Sequence, residues 1–336
     1  MKFDLVTFGE AILRFSPVGG DRLVRADRFD CVLGGAELNV AAGAAQLGMR
    51  TAYLTKLPRS RMGEYALERI KNAGVSGDSI SWDEEDDDRL ALYYLETGAA
   101  PRKSAVVYDR RHSSFTNVET EEFAPAVEEG ARLFHTCGIS LALCAQSRAV
   151  ARQLVESYKA QGALISFDVN YRANLWGEEE ARATIEELLP LVDILFISEE
   201  SCRRMFARTG EIRQILKDFS TQYDIRMVAT TQRKVLSPQR HEFTALVYDA
   251  ASDRFFTQPP YQIDVVDRIG SGDAFVAGVL SGVLKGETPD RALRYGNAMA
   301  ALKSTVYGDL PCTGLAEVER LIAEHDSGAA GSEMDR

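Results

Sequence analysis

Short apolar runs alternate with longer amphipathic stretches over most of the chain. The runs fall at 5–8, 51–57, 132–137, 163–168, 192–197 and 226–230, with segments of helical length at 36–48, 62–73, 146–160 and 178–189. Strands alternating with helices of this length predict right-handed βαβ crossovers and a mostly parallel sheet covered on both faces. Gly74 is placed to end the 62–73 helix. The small residues of AELNVAAGAAQLG would let the 36–48 helix pack closely against a sheet.

Two segments break the alternation. Residues 11–33 (with ILRFSP and FDCVLGG) and 89–108 (with RLALYYLE and SAVVY) alternate apolar and polar side chains with period two, with turn residues between. They read as half-exposed hairpins outside the main sheet, which together would form a small β flap. Such a flap would close on substrate or pair with another subunit.

The heptapeptide Asp267-Arg268-Ile269-Gly270-Ser271-Gly272-Asp273 runs directly into the apolar segment AFVAGVLSGVL. Glycines lacking Cβ allow successive amides to point into one concavity, and a helix start adds about half a unit of positive charge there. Such a place holds an anion, most simply a phosphate. A carboxylate in the same turn repels that anion unless it has a task. Accepting a proton from an attacking hydroxyl, while the amides steady a transferring phosphoryl group, is such a task for Asp273. The helix at 273–285 carries apolar or small residues all round, so it reads as a buried central helix that fixes the turn on rigid structure.

Composition narrows the function classes. The formal net charge of −11 argues against a nucleic-acid partner, although it leaves room for a local basic pocket. No stretch approaches the ~20 apolar residues of a membrane span. The start, MKFDLVTFGEAIL, carries charge and lacks a cleavage signature, so the cytoplasm is the expected compartment. The 5 cysteines are scattered and form no CxxC pair, as expected of reduced thiols. The acidic run at 83–88 reads as a solvated loop, and His135 as a satisfied core histidine.

DRIGSGDAFVAG resembles the C-terminal signature of the PfkB, or ribokinase-like, carbohydrate kinases, and LGGAELNVAAGAAQLG resembles their N-terminal glycine motif. The resemblance covers roughly residues 3 to 320. Within the family, GEAILRFSP, ALYYLET, VVYDRR, CGISLAL, FDVNYRANLW and VDILFISEE look most like the 2-keto-3-deoxygluconate kinases. The resemblance implies a ribokinase-like α/β fold with a small β-sheet lid. Residues 1–324 would form a single domain, lid strands entering at about 11–33 and 89–112, followed by a disordered tail at 325–336. It implies ATP and Mg2+ as cofactors, a sugar acid as acceptor, and a homo-oligomer formed through the lid.

Residue by residue, the resemblance makes Asp273 the general base and the amides of Gly270, Ser271 and Gly272 the anion hole. Gly34, Gly35 and Asn39 would lie against the sugar's hydroxyls. Tyr93 and Tyr108 would reach down from the lid, and Arg110 and Arg172 would meet the carboxylate. Asp309 would stand near the sugar and Asn297 on the adenine side. The family's usual Asn-x-x-Glu is Ser198-Glu199-Glu200-Ser201 here, which leaves Ser198 and Glu200 as the nucleotide-side and metal-side candidates. Arg268-Ile269 stands where Thr-Thr is common. Arg233 or Lys234 remains for the basic contact to nucleotide. A kinase for a neutral sugar or nucleoside, and a nonenzymatic sugar-binding regulator on the same fold, are the competing readings.

Overall fold

Apolar runs bounded by glycine or acidic residues become strands, and the segments between them close back as helices. In a computed structural model, residues 1–84, 89–237 and 239–328 are described. The strands are β1 (Phe3–Phe8), β2 (Ile12–Pro17), β3 (Phe29–Gly34), β4 (Thr51–Leu54), β5 (Lys56–Pro58), β6 (Ser81–Asp83), β7 (Ala91–Glu96), β8 (Ala105–Asp109), β9 (Ala131–Cys137), β10 (Leu164–Asp168), β11 (Ile194–Phe196), β12 (Met227–Ser237), β13 (Arg240–Asp249), β14 (Arg254–Thr257) and β15 (Tyr261–Asp264). The helices are α1 (Ala36–Gln46), α2 (Arg61–Asn72), α3 (Ala124–Glu129), α4 (Gly138–Ala142), α5 (Ala145–Ala160), α6 (Glu178–Leu188), α7 (Glu199–Arg204), α8 (Ile212–Tyr223), α9 (Ser271–Leu284), α10 (Pro289–Ser304) and α11 (Leu315–Ser327).

Among the described residues the main sheet has the order β14-β13-β12-β11-β10-β9-β1-β4, with β15 paired to β13. From β4 through β12 the pairing is parallel, as the βαβ pattern predicts. Alternation along each strand divides the core between two faces. Val6, Phe134 and Leu195 pack with α5, α6 and α8 on one side. Leu5, Leu133 and Ile194 face α9, α10 and α11 on the other.

The lid is a separate sheet of order β3-β2-β7-β8, drawn from the two period-two segments. It rests on a third apolar cluster in which Leu13 and Leu33 meet Leu38 and Ala42 of α1. Helix α9 begins at Gly270, whose φ of 81° is left-handed. It packs so closely on α10 that a Cβ at Gly278 would lie 2.5 Å from the Tyr295 carbonyl oxygen.

Several expectations are corrected. TAYLTKL is two strands in different sheets, since β4 joins the main sheet and β5 pairs with β6. The antiparallel edge from β12 to β15 carries a largely polar, exposed stretch whose ladder depends on its partner strand. Helix α11 continues to Ser327, inside the tail expected to be disordered from 325; residues 329–336 lie outside the described residues. Of the acidic run, Asp83 is buried in β6, whereas 85–88 fall outside the described residues. His135 is buried as expected, its Nδ1 2.9 Å from Ser166 Oγ, and burial pushes its pKa down to about 3.

Candidate active site

The lid and the ends of β10 and β11 enclose a cavity of about 720 Å³, at the carboxyl ends of parallel strands where open α/β sheets take ligands. It brings together Gly35, Asn39, Tyr93, Tyr108, Arg110, Arg172, Ser198, Glu200, Gly270, Ser271, Gly272, Asp273 and Asp309. An adjoining cavity of about 390 Å³ shares Asp168, Arg172, Ser198, Glu200 and Gly272 with the first and extends to Arg204 and Phe275. Arg233 also lines the larger cavity, whereas the exposed Lys234 pairs with Glu242 at 3.5 Å.

Two expected site residues lie elsewhere. Gly34 sits beneath Asp309, and a Cβ added there would be 2.4 Å from Asp309 Oδ2. Its lack of a side chain therefore makes room for that carboxylate. Asn297 is fully buried on α10 and lines neither cavity. Both polar atoms of its side chain are buried without a hydrogen-bond partner among the described residues.

Asp273 stands in the first turn of α9, half-buried, and accepts a hydrogen bond from Asn39 Nδ2 at 2.6 Å. Burial raises its pKa to about 6, against the opposing Asn39 hydrogen bond and Arg172 charge. Asp168, at the end of β10, is pushed up to about 7, first by burial and then by the charge of Asp273. The amides at a helix start have no acceptor within the helix, and Asp273 stands in that same first turn. Ser271 N donates to Arg268 O at the long distance of 3.3 Å. The arrangement can take a proton onto Asp273 and hold an anion on the turn.

The two arginines differ. Arg110 is engaged: its Nε and one terminal nitrogen donate to Glu10 Oε2 at 2.9 and 2.5 Å, while Ser113 Oγ donates to Glu10 Oε1 at 2.5 Å. Arg172 is exposed and lines the cavity, and its one side-chain hydrogen bond among the described residues goes to the Tyr171 carbonyl at 3.3 Å. It has no carboxylate partner within ion-pair distance among the described residues. From the lid, Tyr93 donates to Asp309 Oδ2 at 2.6 Å, and the Tyr108 ring lies 5.8 Å from that of Tyr93.

Four contributors escaped the sequence reading. Glu10 and Asp168 each follow or end an apolar strand, a position that could have marked them. Arg14 is a single charged residue in the apolar run ILRFSP, and Lys303 is a buried lysine near the end of α10. Neither of the last two has a local signal naming its partners.

Comparison with known proteins places these features in a group. A family model described as pfkB family carbohydrate kinase matches residues 2–313. The 2-dehydro-3-deoxygalactonokinase of Haloferax volcanii is 38% identical over 328 residues, covering 98% of this chain and 99% of that protein. The 2-dehydro-3-deoxygluconokinase of Bacillus subtilis is 28% identical over 312 residues, 92% of each. The crystal structure of the 2-dehydro-3-deoxygluconokinase of Thermotoga maritima matches with a TM-score of 0.91 at 32% identity, covering 96% of this chain and 99% of that one.

Proposed function

This chain belongs to the pfkB family of carbohydrate kinases, with the ribokinase-like α/β fold, and from that premise we propose that it phosphorylates a 2-keto-3-deoxy sugar acid with ATP. The acceptor is 2-keto-3-deoxygluconate or its galactonate-derived epimer, the same compounds that the relatives' names call 2-dehydro-3-deoxy acids. The observation that carries the reading is the pairing, in one cleft, of Asp273 on the glycine turn with Arg172, a guanidinium without an ion-pair partner among the described residues.

Arg172 grips the substrate carboxylate, and the lid tyrosines cover the carbon chain. A primary hydroxyl is thereby brought to Asp273, which takes its proton as the oxygen attacks the γ-phosphorus in line and the bond from that phosphorus to the β,γ-bridging oxygen breaks, releasing ADP. The amides at the start of α9 steady the equatorial oxygens of the phosphoryl group in transit. A neutral sugar would leave Arg172 without a counter-charge, which disfavours that alternative. A nonenzymatic role would give no task to a carboxylate set among anion-binding amides.

Magnesium accompanies ATP in this chemistry and neutralises phosphate charge when bound. Among the described residues no three His, Cys, Asp or Glu side chains cluster to hold a metal ion. That donor set fits a magnesium held largely by phosphate oxygens and water, with Asp168 and Glu200 as the nearby carboxylates.

A coupled ATPase assay over a panel of sugar acids and neutral sugars tests the reading. Turnover is expected with 2-keto-3-deoxy sugar acids, and a preference for fructose or ribose would overturn it. A second expectation concerns pH. Asn39 favours the ionised form of Asp273, so Asn39→Ala should raise the Asp273 pKa above about 6. The acid limb of kcat/KM should then move to higher pH, and an unmoved limb would show that Asn39 does not tune the base.

A further inference from the structure

Arg14 lies on β2, a lid strand that is otherwise apolar or small apart from this one charge. Its side chain is completely buried. One terminal nitrogen donates to Asp267 Oδ2 at 2.7 Å, and the other stands 2.8 Å from Asp309 Oδ1. The two carboxylates belong to different parts of the site. Asp267 opens the anion-holding turn, where its Oδ1 accepts from Ile269 N at 3.0 Å and its Oδ2 from Gly308 N at 3.2 Å. Asp309 takes the Tyr93 hydroxyl, and its backbone oxygen would be 2.1 Å from a Cβ on Gly270.

The lid register reinforces this link. Arg14 is directly opposite Tyr93 in the β2–β7 pairing, so the two side chains share a face and converge on Asp309. Lys303, also fully buried, donates to the Asp267 carbonyl at 3.2 Å and to the Val306 carbonyl at 3.3 Å. Arg14 and Lys303 together balance Asp267 and Asp309. An apolar residue at position 14 would suit this strand and avoid the cost of desolvating a charge. A forked guanidinium, by contrast, gives each carboxylate its own terminal nitrogen in a fixed geometry, whereas an ammonium is a compact point charge that would have to serve both from one atom.

We propose that Arg14 is a positioning residue that ties the acceptor-covering face of the lid to the phosphate-holding turn, so that both halves of the site align as one unit. The proposal rests on the kinase reading above. It makes the geometry of transfer depend on a residue that touches neither substrate.

Arg14→Lys keeps the charge but replaces the fixed fork, with one nitrogen for each carboxylate, by a single point charge. In the folded variant kcat/KM for the acceptor should fall by roughly 10- to 100-fold, the scale of a small misplacement, with KM for ATP within about twofold of wild type. Backbone amide exchange, measured without substrate, should rise together in 91–96 and in 267–271, while α5 and α8 keep wild-type exchange. Tyr307→Ala guards against misfolding of the first variant. It removes a half-exposed ring whose centroid lies 4.7 Å from the guanidinium and leaves both carboxylates in place. It should show the same pattern at smaller amplitude. Wild-type acceptor kinetics and wild-type exchange in whichever variants fold would overturn the proposal. A wild-type protein that phosphorylates no acceptor would instead overturn the kinase reading, and the exchange comparison would then decide the role of Arg14 alone.

Discussion

Asp273→Asn is expected to lower kcat by roughly 10²–10⁴-fold, the usual contribution of a positioned general base. The amide matches the carboxylate in size and can still accept the hydrogen bond from Asn39 Nδ2, so thermal stability should stay close to wild type. The pH profile gives an independent check. Asp273 must be ionised to accept a proton, and its pKa is raised to about 6, so wild-type kcat/KM should rise as pH climbs through that value. Asp168, at about 7, is coupled to it, so the limb belongs to the pair. In the variant the limb should lose its Asp273 component. Near wild-type turnover in Asp273→Asn would refute the assignment of the base.

Arg172→Met should cut kcat/KM for the sugar acid by about 10- to 150-fold, the equivalent of losing a hydrogen-bonded charge contact worth ~1.5–3 kcal/mol. Most of the loss should appear in the acceptor KM, with KM for ATP little changed. The side chain is exposed and makes one contact to a backbone oxygen, so folding should not suffer. Activity toward a neutral sugar should change far less. If both acceptor classes lose equally, the carboxylate assignment falls. Arg110 is a poorer probe of the same idea, because removing it strands the buried Glu10 carboxylate and tests folding along with binding.

The parallel sheet was legible because its strands are buried on both faces and stand as apolar runs between helices. The lid was legible from period-two alternation, and the turn that opens the buried helix α9 from Gly270 and Gly272 before an apolar run. The division of 51–58 between two sheets was not, since one continuous run serves both β4 and β5. The β12–β13 hairpin was hidden for a related reason, because its outer half is exposed and polar and gains its ladder only from its partner. The network around Arg14 was beyond local reading. A lone arginine in an apolar strand announces a buried charge, yet its partner Asp267 is 253 positions away. The engagement of Arg110 was equally out of reach, since Glu10 lies 100 positions earlier. Sequence periodicity fixes which face a side chain takes, and tertiary folding decides what waits there.

The pairing of Arg110 with Glu10 makes the cleft lopsided in charge. At the Arg110 wall the guanidinium is already neutralised, so that side offers hydrogen bonds without net attraction for an anion. Arg172, lining the same cleft, makes no ion pair among the described residues, although its charge acts on Asp273 and Asp168. On the proposed function, a linear ligand with one charged end and several hydroxyls would turn that end toward Arg172 rather than toward Arg110. On that reading the cleft would act as a polariser of its substrate, setting which end enters before any atom-to-atom fit is tested.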